Sequence, residues 1–175
     1  MTVIFAVKTL SLIVILSLAL YHDIKEQKIK NAVTLPGAVF GFLLNIVEGG
    51  VNGSVFSLKG WIVPVLLLIV LYLINVMGAG DIKLFAAIGA IMGVRFAVGT
   101  IVFSIYIGGL IAIVLLLVRK RFLSRMSFLL NYLLSVFWTG RLALYCNRGD
   151  TDAKFIFSTA IVPGSLLQLL LSIVG

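Results

Sequence analysis

Gly78-Ala79-Gly80-Asp81-Ile82-Lys83-Leu84 stands between two apolar runs, residues 61–77 and 84–93. An acid and a lysine at such a place are costly in a bilayer unless they have a partner or a task. Two glycines two residues apart let backbone approach backbone, or a bound chain. A second acid, Asp23, closes the first apolar run in the same way. The pattern predicts two aspartates facing one another at a membrane boundary.

The rest of the composition supports a membrane setting. Of 175 residues, 62% are hydrophobic and 11% charged, with a mean hydropathy of +1.23. A soluble domain of this size has no use for so much apolar surface, so the expected class is an all-α polytopic membrane protein forming one unit over residues 1–175. The net charge of +8 does not indicate nucleic acid, because the basic residues lie in links between apolar runs. Cys146 and His22 are the only residues of their types. An internal disulfide and a cysteine zinc site are therefore excluded, and a histidine-rich metal site has nothing to draw on. Residues 3–21 resemble a signal peptide, but Lys8 interrupts the apolar stretch and no small-x-small cleavage site follows, so they read as a retained span.

Six spans are expected, at residues 3–21, 32–47, 61–77, 84–94, 97–118 and 155–174, the last interrupted by Pro163-Gly164. Residues 48–60 read as a glycine-rich link. Residues 122–145 carry polar residues every three or four positions and read as an amphipathic helix at the cytoplasmic interface, with a seventh span as the alternative. Placing the links after spans one, three and five in the cytoplasm gives that side Lys25, Lys28, Lys30, Lys83, Arg119, Lys120, Arg121, Arg125, Arg141, Arg148 and Lys154. Only Lys8, Lys59 and Arg95 fall elsewhere. This is the positive-inside bias, and it brings Asp23 and Asp81 to the same face.

Two carboxylates sharing a water can hydrolyse an amide, one ionised and taking a proton, the other protonated and polarising the carbonyl. Each acid also has a plainer reading. Asp23 fits a solvated loop acid beside Lys25; Asp81 fits a helix cap or an ion pair with Lys83. Asn31 reads either as an orienter of Asp23 or as a cap of span two. Lys83 reads as a holder of Asp81, as a contact to substrate backbone, or as an interfacial lysine. Gly78 and Gly80 read as openings for a substrate strand or as helix contacts. Tyr21 and Trp61 fit interfacial anchors, and the basic cluster from Arg119 to Arg125 fits a topology determinant.

The stretch from Gly78 to Leu84 resembles the GxGDxKL signature of the type IV prepilin peptidases, the GxGD membrane aspartic proteases. Phe85-Ala86-Ala87-Ile88-Gly89-Ala90 and Gly93 fit the same resemblance. Upstream, Asp23-Ile24-Lys25-Glu26-Gln27-Lys28-Ile29-Lys30-Asn31 resembles the family's first acid followed by basic residues and Ile-Pro-Asn, with Lys30 in place of the proline. The resemblance covers residues 10–110 and, loosely, the last span. It implies an aspartic endopeptidase using Asp23 and Asp81 with no metal or organic cofactor, beside which Gly78, Gly80, Lys83 and Asn31 are the candidate substrate-binding or site-shaping residues. It implies cleavage of short basic leaders from pilin-like precursors at the cytoplasmic face of the inner membrane, alongside a pilus assembly machinery. The cysteine-paired cytosolic insertion of the longer members, linked with N-methylation, is absent from these 175 residues. The small size suggests the tight-adherence (Flp pilus) branch, with an archaeal preflagellin-type peptidase as the nearest competitor. A membrane transporter or assembly subunit using the acids as ion sites is the rival from another class. A presenilin-like protease would normally place a Tyr-Asp acid within a span, and here Asp23 follows His22.

Overall fold

The computed structural model describes residues 3–74, 76–118 and 157–174. The expected interfacial helix at 122–145, the cluster Arg119-Lys120-Arg121 and Cys146 lie outside the described residues. Those described are all-helical: α1 (Val3–Glu26), α2 (Asn31–Leu73), α3 (Ala79–Met92), α4 (Val94–Val118) and α5 (Ser158–Val174). Three of them, α1, α2 and α4, are long and apolar enough to cross a membrane.

α2 has 43 residues. Straight, it would reach about 65 Å, twice a bilayer core of about 30 Å. It is not straight. Gly50 has φ 55° and ψ −127°, a backbone that glycine adopts without the strain a Cβ would impose. The chain reverses there. Gly53 packs so closely on the Asn45 carbonyl that a Cβ would overlap it, although eight residues of straight helix would hold the two about 12 Å apart. α2 is thus a hairpin of two arms, 31–49 and 51–73. The glycine-rich link expected at 48–60 is therefore corrected to a single non-helical residue within the helix. Gly53 and Gly60 look like loop formers in the sequence, but they serve as points of close helix contact.

Both arms grip α3. On the first arm Val33, Thr34, Gly37, Gly41 and Asn45 are buried, spaced at helical intervals; on the second, Ser57, Gly60, Pro64 and Leu68. Gly41 meets Ile91, and Gly60 and Gly89 meet carbonyl to backbone, with no room for a methyl on either. The end of α3 is capped from outside: Ser57 Oγ donates to the Ala90 carbonyl at 2.7 Å and Asn45 Nδ2 donates to it at 3.0 Å. Those contacts satisfy a terminal carbonyl that has no partner within its own helix. Gly93, at φ 88°, then turns the chain into α4 under the ring of Phe56.

α3 is consequently the core of the molecule. Leu84, Phe85, Ala87, Ile88 and Ile91 are fully buried. α1 packs along the first arm of α2, with Ile15 against Gly37. α5 packs antiparallel on α4, with Gln168 at Gly99, Gly164 at Ser104, and Phe157 with Ala160 at Gly108. α5 continues through Pro163, so the interruption expected there is not present. The outward faces are a near-continuous apolar surface, including Leu66, Leu67, Val70, Leu73, Val102, Ile105 and Leu110. A surface of this kind fits contact with lipid rather than water.

Candidate functional site

The charged residues of the described helices gather at two opposite ends. α1 carries one at each: Lys8 and Asp23 are separated by 15 residues, about 22 Å of helix.

At the first end, α1 extends to Glu26, beyond the span expected to stop at Tyr21. Asp23 therefore lies within the helix, not in a solvated link, and is buried at 8% exposure. Its Oδ2 accepts a hydrogen bond from the backbone N–H of Ser158 at 3.4 Å. Ser158 opens α5, whose first turn begins with the Phe157 carbonyl accepting from Ala160 and Ile161. The bond thus sets a carboxylate at a helix N-terminus, where unpaired N–H groups and the helix dipole favour negative charge.

Asp81 occupies the first turn of α3, as the sequence suggests, with Gly78 as the N-cap. Its side chain accepts a hydrogen bond from the Gly78 backbone, the return half of a capping box. A Cβ at Gly78 would sit 3.1 Å from Asp81 Oδ2, so glycine leaves the carboxylate space to make that bond. The two carboxylates lie near enough for the charge of Asp23 to act on Asp81.

The segments that adjoin the two acids are fastened to each other. Ile29 is buried and packs on Gly80, where a Cβ would stand 3.0 Å from the Ile29 Cβ. Gly80 thereby serves contact between links. Lys83 Nζ donates to Asn31 Oδ1 at 2.9 Å, on an exposed surface. This joins two of the expected site residues in a way the sequence reading did not offer. Asn31 is not the cap of α2, which is Lys30, and the ion pairs among the described residues do not join Lys83 to Asp81. Glu26 and Lys30 pair at 2.6 Å across one helical turn.

At the opposite end Lys8 is buried at 7% exposure. It donates to Asn45 Oδ1 at 2.9 Å and pairs with Glu48, beside the Phe56 ring at 6.0 Å. An open cleft of about 430 Å³ lies here, lined by Phe5, Asn52 and Met92 among others. In the sequence Lys8 stands out as a break in a signal-peptide pattern and as one of three basic residues off the cytoplasmic side, without its partners. The signal for its partners was present in Asn45 and Glu48, two polar residues three apart near the end of an apolar run.

Ser158 was also missed, because the sequence around it is unremarkable and only the packing of α5 brings it to Asp23. Among the described residues, no three of His, Cys, Asp and Glu gather as a metal-ion site would need.

A family model described as the type IV leader peptidase family matches residues 10–113. Neither curated proteins nor solved structures gave a match. The matched region holds both acids, the hairpin of α2 and the whole of α3. It takes in more than half of the chain, so the protein belongs to the type IV leader peptidase family, a family of membrane peptidases.

Proposed function

We propose that the protein is a membrane aspartic endopeptidase that removes short basic leaders from pilin-like precursors at the cytoplasmic face of the inner membrane. The observation that supports this reading most directly is the meeting of Asp23 and Asp81, which stand on separate helices at one end of the bundle and within each other's field. Lys25, Lys28, Lys30 and Lys83 flank the two acids in the sequence, and this positive-inside bias supports a cytoplasmic position for that end.

In the proposed reaction the ionised carboxylate takes a proton from water as the water oxygen attacks the scissile carbonyl carbon. The protonated carboxyl gives its proton to the carbonyl oxygen, forming a neutral diol. When the diol collapses, the C–N bond breaks, the leaving amine takes the proton held by the first carboxyl, and a diol hydroxyl returns its proton to the second. The pair ends with one proton, as it began. Gly78, Gly80, Lys83 and Asn31 shape the entrance: Gly78 clears space for Asp81, and the Lys83–Asn31 hydrogen bond holds the segments that adjoin the two acids in register. A leader rich in lysine and arginine, followed by an apolar helix, would lie with its cut site at the bilayer boundary. The reading favours the tight-adherence branch without methyltransferase activity, and a pilus assembly machinery as the downstream partner.

The test is co-expression with a precursor bearing a short basic leader, a glycine and a 20-residue apolar helix, followed by mass spectrometry of the new N-terminus. Cleavage after the leader glycine, lost in both Asp23→Asn and Asp81→Asn while each variant accumulates in the membrane, is the expected result. Full cleavage by either variant would sink the paired-acid mechanism. Ion or solute movement without any cut would favour the transporter reading.

A further inference from the structure

The described residues contain four buried hydroxyl oxygens without a hydrogen-bond partner: those of Thr9, Thr34, Thr100 and Ser158. A buried hydroxyl left unpaired costs about 1–3 kcal/mol, so each one calls for an explanation. Three have an ordinary one. Thr9, Thr34 and Thr100 lie within helices, where a small rotation aims the hydroxyl at the carbonyl one turn back. Ser104 and Ser165 make that bond here, at 2.6 and 2.7 Å.

Ser158 has no such exit. It is the first residue of α5, so its own helix supplies no preceding carbonyl. It is fully buried, and its backbone N–H is committed to Asp23 Oδ2. An unpaired hydroxyl therefore stands on the residue that touches one of the two acids. Building an orphan polar group into so dry a place is destabilising unless something that arrives during function completes it.

We propose that the Ser158 hydroxyl is a third catalytic group, which holds the attacking water between Asp23 and Asp81. This rests on the peptidase reading above and adds to it a residue outside the family-matched segment. The Ser158 Oγ accepts the water hydrogen that is not transferred. The other hydrogen then points to the ionised carboxylate and an oxygen lone pair to the scissile carbonyl. No bond to serine forms or breaks, and the proton balance of the carboxyl pair is unchanged. α5 contributes twice from one residue, with the N–H fixing Asp23 and the hydroxyl fixing the water.

The test compares Ser158→Ala and Ser158→Thr with the parent protein, in detergent or in vesicles, on the same leader-bearing precursor. Ser158→Ala is expected to lower kcat roughly 10- to 100-fold, the scale of a misplaced reactant, with KM within about twofold. It is also expected to melt at the same temperature as the parent or higher, because it deletes an unpaired hydroxyl. Ser158→Thr keeps the hydroxyl and should retain kcat within about threefold. Wild-type kcat in Ser158→Ala would overturn the assignment. So would a lowered melting temperature with activity lost in proportion, which is the mark of a structural serine. If the parent itself cuts no precursor, the peptidase reading fails and not this assignment alone; if the parent cuts and Ser158→Ala cuts equally well, only the assignment fails.

Discussion

At one end of α1 a buried lysine meets Asn45 and Glu48; at the other a buried aspartate meets a second aspartate and a single long backbone hydrogen bond. The same helix thus handles buried charge in two ways. Around Lys8 the signs are complementary, and Asn45 is fully used, with its oxygen on Lys8 and its amide on the Gly41 and Ala90 carbonyls. Around Asp23 the signs repel, and the neighbouring Ser158 hydroxyl is unpaired. Satisfied polar groups of the first kind specify a packing. Poorly satisfied groups of the second kind persist where a site needs them, at a cost in stability. The lysine end holds the hairpin of α2 onto α1 and α3, and the acid end is the one to which we assign the reaction.

That contrast can be broken by experiment. The largest effect is expected at the acid end: Asp23→Asn or Asp81→Asn should lower cleavage by roughly a thousandfold or more, as loss of a group that acts as one of a unit does. Neither should lower the melting temperature appreciably, since each removes one of two repelling charges. An activity loss that merely tracks unfolding would erase the distinction. At the lysine end the order reverses. Lys8→Met leaves the Asn45 oxygen without its donor, and should cost about 2 kcal/mol of stability, read by thermal unfolding. Turnover per folded molecule should stay within about twofold. A Lys8→Met protein that is stable but inactive would show that the two ends are coupled. At the reversal, Gly50→Ala should cost about 1 kcal/mol through its positive φ, again without touching turnover. The smallest effect belongs to the exposed Lys83–Asn31 bond. A double-mutant cycle with Lys83→Met and Asn31→Ala, scored on kcat/KM, should give a coupling of about 0.5 kcal/mol. A coupling of zero would mean that the bond does not hold the segments that adjoin the acids together.

The sequence was most informative where local chemistry decides the structure. Gly78 followed by Asp81 is a helix start in any setting, and α3 begins there. The positive-inside count brought Asp23 and Asp81 to one face because lysine and arginine positions bias topology regardless of packing, and the two acids do share an end. Two kinds of feature could not be read that way. Glycine has two uses, and nothing local separates them: Gly50 turns the chain, whereas Gly53 and Gly60, in the same run, are contact points whose partners Asn45 and Gly89 become visible only in the fold. Partners distant in sequence were equally hidden. Lys83 and Asn31 are 52 residues apart and Ser158 and Asp23 are 135 apart, and no periodicity reports on such pairs. The end of the first span was misjudged for a different reason. Polar residues from His22 to Glu26 looked like the start of a link, yet a helix emerging from an apolar layer continues through polar residues as long as its backbone bonds do.

α3 is 14 residues long, about 21 Å, too short to match a hydrocarbon layer of about 30 Å. It does not have to match one. From Leu84 to Ile91 every residue is buried by the surrounding helices, so acyl chains press on that sheath and not on the post inside it. Hydrophobic mismatch, which tilts or bends helices that touch lipid, therefore acts on the exposed apolar faces of α1, α2, α4 and α5 and reaches Asp81 through them. Asp81, carried at the start of such a post, is separated from changes in bilayer thickness by the helices around it.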